Sequence, residues 1–130
     1  MTMPPTLDHF ETVARATVDT LPDPFRDPAR DVALCVADRP SQQMLRDLGM
    51  SDPLLLTGLY EGTPMTMKSV WDQPAQPDTV WLFREPILAE WRDRRSVPLD
   101  TLIAHVTIHE FAHHFGWSDD DIARIDRWWE

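Results

Sequence analysis

Pro98-Leu99-Asp100-Thr101-Leu102-Ile103-Ala104-His105-Val106-Thr107-Ile108-His109-Glu110-Phe111-Ala112-His113-His114-Phe115-Gly116 is the stretch on which the reading of this chain turns. Leu99, Leu102, Ile103, Val106 and Phe111 recur at helical spacing. Pro98 suits a first turn, where its missing N–H is no loss, and Gly116 suits the left-handed residue that ends a helix. The spacing predicts a helix from Pro98 to about His114.

Within that helix stands His109-Glu110-Phe111-Ala112-His113, the pattern H-E-x-x-H. Histidines four residues apart share one helix face, where both imidazoles reach one ion at about 2.0 to 2.1 Å. Glu110 projects from an adjacent part of the surface, the position of a general base that handles a water without occupying the metal. Two histidines leave a zinc ion under-coordinated. The chain continues His114-Phe115-Gly116-Trp117-Ser118-Asp119, and a bend at Gly116 can bring it back beneath the last turn. Asp119 is therefore the candidate third ligand and Asp120 its nearest rival, although acidic residues here also suit the start of a following helix. Judged on this chain's composition, the short pattern arises by chance in about one sequence in a hundred, and the form extended by Gly116 and Asp119 in about one in thirty thousand. The extended form carries the argument.

His105 lies one turn before His109 on the same face, so an ion between those two is conceivable. Only the later pair encloses Glu110 and is followed by the glycine and the aspartate, so His105 is read as a packing or supporting neighbour. His114 is read as a C-terminal helix residue facing away from the site.

Working outward, Ser118 with Asp121 forms a capping-box pattern for a last helix, Asp119 to Trp129, with Trp128 and Trp129 read as core packing. Upstream, Thr79 to Phe83 reads as a strand and Pro86 to Arg94 as a short helix. Thr63 to Asp78 carries three prolines and little periodicity, the mark of a functional or mobile loop. Leu54 to Tyr60 reads as extended, closed by Glu61-Gly62. Ser41 caps a short helix, Gln42 to Leu48, that stops at Gly49. Asp31 to Asp38 reads as a buried strand that includes Cys35, and Thr6 to Leu21 as a helix with an apolar stripe of Leu7, Phe10, Val13, Ala14, Val18 and Leu21. Trp71, Trp81 and Trp91 are evenly spaced, but their flanks differ and define no repeat. Elements in this order predict a single domain over residues 1–130 of mixed α/β, α+β class, a small sheet packed with helices.

The 130 residues carry a net charge of -10 and a pI near 4.7, which argues against nucleic-acid and anionic-membrane surfaces. No apolar run approaches the roughly 20 residues of a membrane span. The first residues lack the basic start and apolar run of a signal peptide, so a cytoplasmic location is expected. Cys35 is the only cysteine, so no intramolecular disulfide is available.

The chain resembles the minimal zincins, small bacterial zincin-like metallopeptidases with H-E-x-x-H-x-x-G-x-x-D near the C-terminus, matched here by His109, Glu110, His113, Gly116 and Asp119. The N-terminal helix ending in Leu21-Pro22, the strand Val32 to Asp38, Leu59 to Pro64 and Val80 to Leu88 are also similar to that family. The resemblance implies a compact zincin-like fold with N- and C-terminal helices around an active-site helix. It also implies zinc held by His109, His113 and Asp119, and hydrolysis of a peptide or protein substrate with Glu110 as catalytic base. Larger zincins bind substrate along an edge strand beside the metal helix, and Thr79 to Phe83 is the candidate here. They also carry a downstream Tyr or His that stabilises the oxyanion. No Tyr, His or Met follows Asp119, so Tyr60 and Arg84 are the upstream candidates. A second class stays open: a non-catalytic binding protein in which zinc organises the C-terminal helices and the loop Thr63 to Asp78 meets a partner.

Overall fold

The computed structural model describes residues 5–62, 78–94 and 96–117. Helix α1 (Leu7–Asp19) starts where the Thr6 hydroxyl accepts the His9 N–H at 3.2 Å, and it buries Phe10, Ala14 and Val18. A short helix α2 (Arg26–Arg30) follows that the proline-rich sequence did not suggest. Pro28 stands in its first turn, where no N–H is required.

Strand β1 (Ala33–Ala37) lies inside the expected strand and leaves Cys35 half-buried rather than buried. Helix α3 (Gln42–Leu48) has the caps its sequence announces: Ser41 Oγ accepts the Met44 N–H at 3.1 Å, and Gly49 takes φ 67°. The expected extended stretch Leu54 to Tyr60 divides. Pro53–Leu55 forms a 3-10 turn begun by Asp52, whose carboxylate accepts the Leu54 N–H at 3.0 Å, and only Gly58–Glu61 forms strand β2. Strand β3 (Thr79–Phe83) passes straight into helix α4 (Arg84–Arg94), which begins two residues before Pro86 because a proline is tolerated in a first turn. Helix α5 (Leu99–Phe115) is the expected site helix.

The sheet order is β1-β3-β2. Strand β1 runs parallel to β3, with Ala33 opposite Thr79 and Ala37 opposite Phe83; β2 runs antiparallel, with Gly58 opposite Leu82 and Glu61 opposite Thr79. The central strand is therefore β3, and its Val80 and Leu82 are fully buried. Helix α1 packs on β1, α5 packs on β2 and β3, and the two helices pack on each other. Leu102, Ile103, Val106 and Phe111 of α5 meet Phe10, Ala14 and Val18 of α1 in one core. Each such large apolar side chain contributes roughly 1.5 to 3 kcal/mol by leaving water, so α5 is held rigidly along its length. The architecture is α+β, as the sequence predicts. Among the described residues no helix is long and apolar enough to cross a membrane.

Candidate metal centre

Helix α5 buries ten of its residues and yet leaves His109 and Glu110 half-buried and His113 exposed. With Thr101, Ala104 and His105 they belong to the part of the helix that the core covers incompletely. The helix ends as its glycine predicts: Gly116 takes φ 69°, and the Trp117 N–H donates to the Ala112 carbonyl at 2.9 Å. The Trp117 ring then packs on Phe115 at 5.0 Å and edge-on to Phe25 at 4.9 Å, which fixes the path of the chain just past the bend. Asp119, Asp120 and the expected helix Asp119 to Trp129 lie outside the described residues, as does the loop from Thr63 up to residue 77.

Glu110 is seated where α5 meets strand β2. A Cβ at position 58 would stand 2.9 Å from Glu110 Cγ, 3.1 Å from its Oε2 and 3.0 Å from Val106 Cγ1. Only glycine lets the strand backbone come this close to the helix. Burial pushes the Glu110 carboxyl up to about 7, and among the described residues it has no hydrogen-bond or ion-pair partner to offset that effect. Sequence reasoning identified Glu110 and missed Gly58; a glycine inside a short strand was the available signal.

Glu110 also divides two cavities. A groove of about 510 Å³ holds Glu110 and His113 together with Leu48, Met50, Leu56, Gly58, Leu59, Tyr60 and Gly62. A smaller, polar cavity of about 170 Å³ holds Glu110 and His109 together with Thr57, Glu90, Arg94, His105 and Val106. Another cavity of about 460 Å³, around Arg39, Arg46, Met50 and Pro53, contains no histidine, carboxylate or cysteine.

His105 packs its ring on that of His109, with centroids 4.3 Å apart and planes at 66°. This is the packing contact that the sequence reading allowed for. His114 stands in the last turn of α5 and lines neither cavity that holds Glu110; it is buried, with Nδ1 2.9 Å from Asp78 Oδ2. The Tyr60 hydroxyl donates to the same Oδ2 at 2.9 Å and stands 3.3 Å from His114 Nδ1. Burial and the Asp78 carboxylate hold the phenol protonated, well above its ordinary range. Gly62, at φ 149°, makes room for this cluster, since a Cβ there would collide with Asp78 Oδ1. Tyr60, Asp78 and His114 thus tie β2, the start of β3 and the last turn of α5 into one buried knot.

One expectation is corrected. The edge strand beside α5 is β2, not Thr79 to Phe83, because β3 is paired on both sides. Of the upstream candidates, Tyr60 lines the groove with Glu110 and His113 while its hydroxyl donates to Asp78. Arg84 donates to Asp38 at 2.7 Å and to the Pro5 carbonyl at 3.3 Å and lines neither cavity that holds Glu110.

Imidazoles at i and i+4 of a helix are donors of the kind zinc takes, and here His109 lines one of the two cavities that Glu110 borders and His113 the other. Among the described residues no group of three or more His, Cys, Asp or Glu is placed to hold a metal ion. A family model for zincin-like metallopeptidases matches residues 29–129, and the chain belongs to that family. No curated protein matches the chain.

Proposed function

We propose that this protein is a zinc-dependent peptidase in which His109, His113 and Asp119 hold the ion and Glu110 is the general base. The observation that carries the reading is the seat of Glu110: a carboxyl without a partner among the described residues, wedged against Gly58 between the two cavities and adjacent to His109. Two ligands from α5 and one from just beyond the Gly116 bend form a three-ligand set, which leaves a further position open, as catalytic zinc sites require. Zinc bound there supplies Lewis acidity to a water and to a peptide carbonyl.

The remaining chemistry belongs to the chain. Glu110 takes a proton from the attacking water and returns it to the departing amine nitrogen, so one carboxyl serves as base and then as acid. His105 orients His109 by ring packing. The knot of Tyr60, Asp78 and His114 holds β2 against α5, and β2 offers its outer edge, which pairs with no strand among the described residues, to an extended peptide. A net charge of -10 supports a peptide or protein substrate over nucleic acid or a membrane, and a lone cysteine fits a cytoplasmic location.

Elemental analysis with turnover tests the reading. The purified protein should carry one zinc per chain, and Glu110→Gln should keep that zinc while losing on the order of 10²- to 10⁴-fold in peptide turnover. A zinc-stabilised binding protein would keep its function in Glu110→Gln, and that result would overturn the peptidase reading.

A further inference from the structure

The two cavities that share Glu110 differ in character. The one on the His109 side is lined by Thr57, Glu90, Arg94 and His105 and is polar. The groove on the His113 side has an apolar wall of Leu48, Met50, Leu56 and Leu59. Its volume of about 510 Å³ falls within the roughly 300 to 1,000 Å³ of ligand-binding pockets.

The distribution of exposed apolar side chains points to the same place. Among the described residues the exposed large hydrophobics are Leu7, Leu48, Leu54 and Leu55; Leu48 lines this groove, and Leu54 and Leu55 directly precede its Leu56 without lining it. Leu48 is 45% exposed and Leu55 71%. Leucines kept in water on one segment mark a surface that meets an apolar partner. That segment runs into β2, and the groove contains Gly58, Leu59 and Tyr60 of the strand beside Glu110 and His113. A peptide added along β2 has side chains alternating between faces, so a residue near the reacting bond can enter the groove. The chain's charge of -10 and the Glu110 carboxyl in the wall disfavour an acidic side chain there. Methionine in such a wall adapts to side chains of different shape.

We propose that the site selects extended peptides carrying a large apolar side chain next to the bond to be cut, received by the wall of Leu48, Met50, Leu56 and Leu59. This rests on the peptidase reading above and adds its substrate class. The test uses two measurements. First, zinc-loaded full-length Glu110→Gln is titrated with fluorescein-labelled short peptides of Gly, Ser and Ala that carry a single Leu, or Asp in its place, and anisotropy reads binding. The Leu peptides should bind at least about tenfold more tightly, and Leu48→Glu in the same background should erase that difference. Second, the wild-type zinc protein is incubated with a mixed peptide library and cleavage sites are read by mass spectrometry; Leu, Phe and Met should be enriched at one position flanking the cut. Equal binding of the Leu and Asp peptides, or no binding of either, overturns the inference. Cleavage without side-chain preference overturns it and leaves the peptidase reading standing. Selective binding without any cleavage upholds apolar recognition and overturns hydrolysis.

Discussion

The seam between α5 and the strands contains two carboxyl groups with opposite treatment. Asp78 is buried and fully engaged, accepting from the Tyr60 hydroxyl at 2.9 Å and pairing with His114 Nδ1 at 2.9 Å. Glu110, one turn earlier on the helix than His114, has no partner among the described residues and has its carboxyl raised to about 7 by burial. The contrast teaches which group holds the fold and which is available for chemistry. A satisfied buried carboxylate fixes its neighbours, whereas a desolvated one without partners is poised to exchange a proton.

Substitutions can break this division. The largest stability effect is expected at Asp78: Asp78→Ala removes the carboxylate that Tyr60 and His114 share and should lower the unfolding free energy by about 3 kcal/mol, read from urea melts. Glu110→Gln should not show that loss. If both substitutions destabilised the protein equally, the two groups would have the same role.

A smaller effect should appear in the pH dependence of metal-free protein. Glu110 has a folded pKa of about 7 against an ordinary 4.5, so between these values the folded chain holds a proton that the unfolded chain has released. Stability therefore falls as pH rises from about 4.5 to about 7, and the penalty persists above that. Glu110→Gln removes the penalty. Chelator-treated Glu110→Gln should be more stable than wild type at pH 8 by on the order of 2 kcal/mol, a figure reduced for the partial exposure of the group, and the two proteins should converge near pH 4. Equal stability across the range would mean that the Glu110 carboxyl is not desolvated.

The smallest effect sharpens the comparison from the strand side. Gly58→Ala places a methyl at 2.9 Å from Glu110 Cγ and displaces that side chain. Stability should change by about 1 kcal/mol or less, while peptide turnover should fall by about tenfold or more because the base moves from its position. A variant with wild-type turnover would show that the Gly58 contact does not position the base.

Sequence alone disclosed the elements whose signals are local. Helix α5 was legible because apolar period, Pro98, Gly116 and the histidine pair all agree. Helix α3 was legible from Ser41 and Gly49. What escaped notice depends on distant partners. Tyr60 meets Asp78 across 18 residues and His114 across 54, so no spacing rule pointed to the knot. Strand order is likewise non-local: Thr79 to Phe83 has the composition of either an edge or a central strand, and its pairing with β1 and β2 decided the matter. Of the candidate site, His109 and Glu110 line one cavity beside α5, Glu110 and His113 line another, and Asp119 lies beyond the described residues.

Zinc-edge X-ray absorption on the purified protein tests the metal assignment most directly. The account predicts two imidazole nitrogens at about 2.0 to 2.1 Å with oxygen completing the shell, and loss of one nitrogen in His113→Ala. Sulfur in the shell, an unchanged spectrum in His113→Ala, or a protein that takes up no zinc would contradict it.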